Sequence, residues 1–406
     1  MSNLRKTAAQ RYLGHAANDL FWFILPLVLP LLLLRYKLSY AQAGGILTFY
    51  LTITAFASYV MGRVSDGIPR RYIMGFGFFI AAGGLIASGF VTTFPVFMMF
   101  LAITALGVST FHPAMYAHID ETFKEKKSRV LGVYEASGST AIFVMFIVNG
   151  ALIDSIGIRG VMIITAMPAL IMGTLLLRSR GMDQKAPENA DSSSTDLAQQ
   201  GSRGHVPLIL FVLFLLSIVL RFTSVMAVVN FLPTIFKNHF GLSTSRAAAV
   251  TGLFFAGGIL GSLAATRFSR TQWSYKALIY GALFLAALIF LLSLGLPMSV
   301  NYLLVFVLGS FASGLLVNQN LILTTLGSRF GRGEAFGIMM AATTLAQSFG
   351  PALFGLSVDR WGFSMTLLLF SMPVLLSAAL LMALFRPVLG LKEMKGISID
   401  LRDANS

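Results

Sequence analysis

The sequence predicts an all-α membrane protein with twelve transmembrane helices in two pseudo-symmetric six-helix bundles. Three observations carry this expectation. The 406 residues are 56% hydrophobic and 11% charged, with a mean hydropathy of +0.79, and a soluble chain of that length needs far more polar surface. A polar run, RSRGMDQKAPENADSSSTDLAQQGSRGH, interrupts the chain from Arg178 to His205. It holds Pro187, the serines Ser192 to Ser194 and mixed charges, so it cannot bury enough apolar surface to offset its conformational entropy and reads as a flexible linker. The apolar stretches on its two sides match at an offset of 204 or 205 residues. That offset sets LSYAQAGG (from Leu38) on LSTSRAAA (from Leu242), Arg63-Val64-Ser65 on Arg267-Phe268-Ser269, and Gly132 on Gly337. It also sets GALIDSIG (Gly150 to Gly157) on GLSVDRWG (Gly355 to Gly362). One offset holding at separated places indicates a duplicated unit. The expected domains are an N-terminal bundle (1–178), a cytosolic linker (179–206), a C-terminal bundle (207–386) and a cytosolic tail (387–406).

Charge orients the chain. Of the 30 Lys and Arg, 23 fall in ends and loops on the side of the N-terminus and 6 on the other side (Arg35, Lys37, Arg159, Lys237, Arg246, Arg360), leaving Arg221 inside a span. This is the positive-inside bias of a bilayer protein with both termini cytosolic. It accounts for the net charge of +14 without a nucleic-acid partner. The first residues are polar and basic, and no small-residue cleavage site follows the first apolar run, so no cleaved signal peptide is expected. The expected setting is a bacterial or archaeal plasma membrane, with the chain a monomer. The absence of cysteine excludes disulfides and Cys-based metal sites. No cofactor and no metal are expected.

A helix needs roughly 20 apolar residues to cross a bilayer. Such runs fall at about 13–35, 42–62, 71–91, 95–119, 129–152 and 158–178, then at about 207–236, 245–266, 274–296, 299–325, 334–356 and 363–385. The first opens with His15, Asn18, Asp19 and Trp22, whose spacing puts them on one helix face. A carboxylate within a span costs about 2.5–3.5 kcal/mol on insertion scales, so Asp19 faces either a cavity or a hydrogen-bonding neighbour at the interface. The fourth run carries Phe111-His112-Pro113, where the proline leaves a backbone carbonyl in need of another partner. His118, near its end, reads as a solvated interfacial residue. The fifth brings Glu135 about two turns inside the membrane, a second buried-acid candidate, ahead of Gly138, which permits close helix approach. Asp154, at the far end of that run, reads as structural.

In the second half, Arg221 is the one basic residue well inside a span. A guanidinium keeps its proton, so it must pair or face water. The expected partner in the empty protein is Asp19 or Glu135, which an anionic substrate would displace. Asn318 (in Asn318-Gln319-Asn320) and Gln347 either knit helices or touch substrate.

The loop GRVSDGIPRRYIMGFG resembles the major facilitator signature between the second and third helices, through Gly62, Asp66, Arg70 and Arg71, departing from it at Gly67 and Pro69. These four form a candidate gate in which the acid locks to the arginines at the cytosolic face. With HAANDLF and FHP the chain resembles the fosmidomycin-resistance-type branch of that superfamily, departing at Ala114. The resemblance implies that helices 1, 4, 7 and 10 line a central cavity. It implies a secondary active transporter in which the halves rock about a central site. The expected activity is proton-coupled efflux, by antiport, of a small organic or anionic compound such as a drug, and the alternative is proton-coupled uptake of an organic anion by symport. The substrate-binding candidates are His15, Asn18, Asp19, Trp22, His112, Arg221, Asn318 and Gln347, with Asp19 or Glu135 carrying the proton. An enzyme is not expected, because the five histidines are scattered and neither HExxH nor GxSxG occurs. A channel and a non-transporting receptor are the remaining readings.

Overall fold

The computed structural model describes residues 2–64, 67–122, 127–179, 207–267, 271–326 and 332–393, all helical apart from short turns. In order these are α1 (Ser2–Tyr36), α2 (Tyr40–Val64), α3 (Arg70–Phe90), α4 (Phe94–Val108), α5 (Phe111–Thr122) and α6 (Lys127–Leu177). After the linker come α7 (Leu208–Thr234, extended by a π-helical turn, Ile235–His239), α8 (Thr244–Arg267), α9 (Thr271–Leu292), α10 (Met298–Leu326) and α11 (Arg332–Glu393). The linker from 180 to 206, Asp66 and the tail from 394 lie outside the described residues.

Among the described residues, 10 helical stretches are long and apolar enough to cross a membrane, and two of them run for 45 residues. Helix of that length reaches about 67 Å, twice the roughly 30 Å hydrocarbon core. Each is a hairpin of two spans folded at one glycine: Gly157 (φ 64°) in α6 and Gly362 (φ 74°) in α11. Both angles lie in the left-handed region, where only glycine sits without strain. Dividing these two stretches yields the twelve expected crossings, and the two glycines are repeat equivalents.

The fourth crossing is split. Pro113 lacks the N–H that would bond the Ser109 carbonyl, so α4 ends at Val108 and α5 begins at Phe111. The Ser58 hydroxyl of α2 donates to that carbonyl at 3.4 Å, supplying the partner the sequence called for. Small residues let α3 and α4 cross closely: a Cβ on Gly107 would lie 2.3 Å from the Ala81 nitrogen.

Packing repeats in the two halves. α1 lies on α6 and α3 on α4 and α6, just as α7 lies on α11 and α9 on α10 and α11. The halves meet crosswise, α2 on α11 and α6 on α8. The inter-half hydrogen bonds cluster on the face opposite the N-terminus, here the far face.

Candidate functional site

The predicted face of α1 turns inward. His15 and Asn18 are each 1% exposed, and His15 Nε2 lies 3.3 Å from Asp19 Oδ2, one helical turn on. The break after α4 swings His112 across from α5, so that its Nε2 lies 3.3 Å from the other oxygen, Asp19 Oδ1. One carboxylate therefore sits between two imidazoles.

Tyr134 of α6 holds both rings from behind. His15 Nδ1 donates to the Tyr134 carbonyl at 2.6 Å, the Tyr134 hydroxyl meets His112 Nδ1 at 3.1 Å, and its ring stacks on His15 at 3.6 Å. A carbonyl can only accept, so His15 Nδ1 carries hydrogen and Nε2 of the neutral ring carries none. That Nε2 nevertheless faces a carboxylate oxygen. Two acceptors in contact repel unless a proton lies between them, so this geometry suits a shared proton. Gly138 makes the space: a Cβ there would lie 2.0 Å from Asp19 Oδ2 and 2.7 Å from His15 Cε1.

The remaining acid stands next to this group. Glu135 accepts from the Tyr116 hydroxyl at 2.7 Å, and the Tyr116 ring stacks on His112 at 5.9 Å. Trp22 lies 6.0 Å from His112. The Trp22 indole nitrogen and both amide atoms of Asn18 are buried without a hydrogen-bond partner among the described residues, which leaves them available to a ligand. The donor atoms of His15, Asp19 and His112 all lie within 4.8 Å of one another, near enough for one cation to bind all three, and a proton satisfies them too.

The structure corrects several sequence expectations here. Histidines scattered in sequence do not stay scattered, because the break at Pro113 delivers His112 to His15. Arg221 pairs with neither acid; it is buried and donates to Gln319 of α10, while Asp19 is held by histidines and Glu135 by Tyr116. Within the Asn318-Gln319-Asn320 run it is Gln319 that takes the guanidinium, whereas the Asn318 amide donates to its own helix at Gly314. Gln347 is half-buried on α11. His118 is buried, at 2% exposure, not solvated. Tyr134 and Tyr116 were not singled out from sequence; aromatic residues next to an acid in a span were the available signal. Of the gate, Asp66 lies outside the described residues, Gly62 faces Pro113 with ordinary clearance, Arg70 is buried, and Arg71 reaches Tyr72 Oη at 3.0 Å.

A duplicated twelve-crossing bundle with polar groups buried inside has known relatives. The profile of the Major Facilitator Superfamily matches residues 12–331. The chain belongs to the major facilitator superfamily. Along 301 residues it is 23% identical to an uncharacterized MFS-type transporter, YceJ, of Bacillus subtilis (strain 168), covering 72% of this chain and 74% of that one. Its fold matches a bacterial homologue of the human lysosomal transporter Spinster, inward-facing and occupied, with TM-score 0.77 at 13% identity over 96% of this chain and 98% of that one. It also matches the nucleoside transporter NupG (TM-score 0.70, 14% identity, 95% and 100% covered). A D-xylose–proton symporter matches with TM-score 0.67 at 17% identity (93% and 97% covered). This transporter is therefore a multi-pass membrane protein of small-molecule transport, and its family and fold are those of transporters rather than enzymes.

Proposed function

We propose that this transporter is a proton-coupled antiporter that exports a small organic anion, drugs among them, from a bacterial or archaeal cytosol, working as a monomer with both termini inside. The observation that carries the reading is the Asp19 carboxylate held between the Nε2 atoms of His15 and His112. This group takes up or releases one proton with the rings already in place. Arg221, held by a neutral amide and not by an acid, has charge to offer an anion. The unpartnered amide of Asn18 and indole of Trp22 can orient the uncharged part of that substrate. Efflux is supported by the likeness of HAANDLF and FHP to the fosmidomycin-resistance-type branch, and the orientation by the bias of Lys and Arg. In the alternate state Asp66 with Arg70 and Arg71 closes the cytosolic side.

Proteoliposomes test the central claim. Asp19→Asn should abolish gradient-driven transport and preserve counterflow, which needs no net proton movement, whereas Glu135→Gln should slow both. Full gradient-driven transport in Asp19→Asn would remove the proton from this cluster. Comparing inside-out with right-side-out vesicles under one pH gradient reads the direction, and accumulation along the proton flux would mark a symporter instead.

A further inference from the structure

The segments that duplication left most alike turn out to be each other's partners. Asp359, in GLSVDRWG of the second half, accepts the N–H groups of Tyr40 (2.9 Å) and Ala41 (2.7 Å), the first two residues of α2 in the first half. Its repeat counterpart Asp154, in GALIDSIG of the first half, accepts the Ser245 N–H at 3.2 Å, at the start of α8 in the second half. Each aspartate therefore caps the helix that begins with the other half's Leu-Ser motif. The first amides of a helix have no partner within it and carry its positive end, so a carboxylate there is favoured.

These caps hold two backbones in direct contact. A Cβ on Gly44 would lie 2.1 Å from the Pro351 carbonyl oxygen, one on Gly355 2.0 Å from the Tyr40 carbonyl oxygen, and one on Gly150 2.6 Å from Ala248 Cβ. Asn238 adds a bond to the Tyr40 hydroxyl at 3.2 Å, and Phe363 meets the Tyr40 ring edge-on at 4.9 Å. None of these residues reaches His15, Asp19, His112 or Arg221.

We propose that Asp154 and Asp359 are positioning residues for the transport cycle: a paired clasp that sets the ratio between the state closed at the far face and the state open there. The proposal rests on the family's two-state rocking and not on the identity of the substrate or coupling ion. Opening exchanges each carboxylate for water at the helix start, so the clasp favours one state without welding it. Asp359, with two bonds, is the stronger member. Repeat symmetry gives the reason for two: the halves part along both crossing seams, α2 on α11 and α6 on α8, and each seam has its own cap.

The absence of native cysteine makes the test direct. Ala248→Cys places a thiol in the far-face seam at a position now fully buried, and labelling by a membrane-impermeant maleimide in vesicles reports opening. Asp359→Ala should raise the labelling rate about fivefold, the factor that loss of one helix cap is worth. Asp154→Ala should raise it less and the double variant most, while Asp359→Asn, which keeps an acceptor, should return most of the way to the parent. Unchanged labelling in the double variant, with a lowered melting temperature as the sole effect, would overturn the clasp and leave two static ties. A control separates this failure from failure of the rocking itself. Gly355→Trp wedges the seam apart by bulk alone, and a thiol still unreactive there would mean that the halves do not part at the far face.

Discussion

The two halves are most alike at the far face and least alike in the interior. At the far face Asp154 answers Asp359, each bonding a helix start of the other half, and Gly157 answers Gly362 with a similar positive φ. In the interior the first half presents two histidines around a carboxylate, and the second a guanidinium held by an amide. In the repeat register Arg221 stands opposite Ala17, and Thr343 stands where the first half has Gly138. The difference separates two tasks. Opening and closing along a pseudo-twofold seam needs equivalent parts on both sides, whereas the proton and anion proposed for the interior need opposite ones.

The largest expected effect breaks the comparison in the interior of the first half. Gly138→Ala drives a methyl group into Asp19 Oδ2 and should eliminate gradient-driven transport, measured in proteoliposomes, while size-exclusion elution stays normal. Retained coupling would show that the carboxylate does not need its place between the imidazoles. Next comes the interior of the second half. Arg221→Lys keeps charge but loses the planar fork, and should weaken binding of a carboxylate or phosphonate by about tenfold, near the worth of one charge-assisted hydrogen bond. Arg221→Gln should weaken it further in a thermal-shift titration. Normal affinity in Arg221→Gln would make the residue a helix tie and remove the case for an anion. The smallest effect sharpens the symmetry. Gly157→Ala and Gly362→Ala should each destabilise by about 1–3 kcal/mol, the cost of a side chain at positive φ with extended ψ, and by equal amounts in melting experiments. A clear inequality would show that the far face too has diverged.

Twelve crossings, their duplication and the inward face of α1 were legible from residue order, because bilayer thickness and helical period impose length and spacing on any sequence that spans. The proline break was legible as well, since Pro113 removes a named N–H and Ser109 is left a carbonyl to place. Pairing was not. His15 and His112 are separated by most of the first bundle, and only the tertiary structure brings both Nε2 atoms to Asp19. The expected Arg221–Asp19 pair was outcompeted, because Asp19 has two imidazoles within reach and Gln319 stands beside Arg221 on the neighbouring helix. The aspartates of the repeated motifs show the same division. Sequence marked them as equivalent, but a repeat says nothing of whether its copies stand apart or lock together. Hydrogen bonds from Tyr40, Ala41 and Ser245 decide it, because these amides at a helix start of one half are met by a carboxylate that the fold of the other half carries to them.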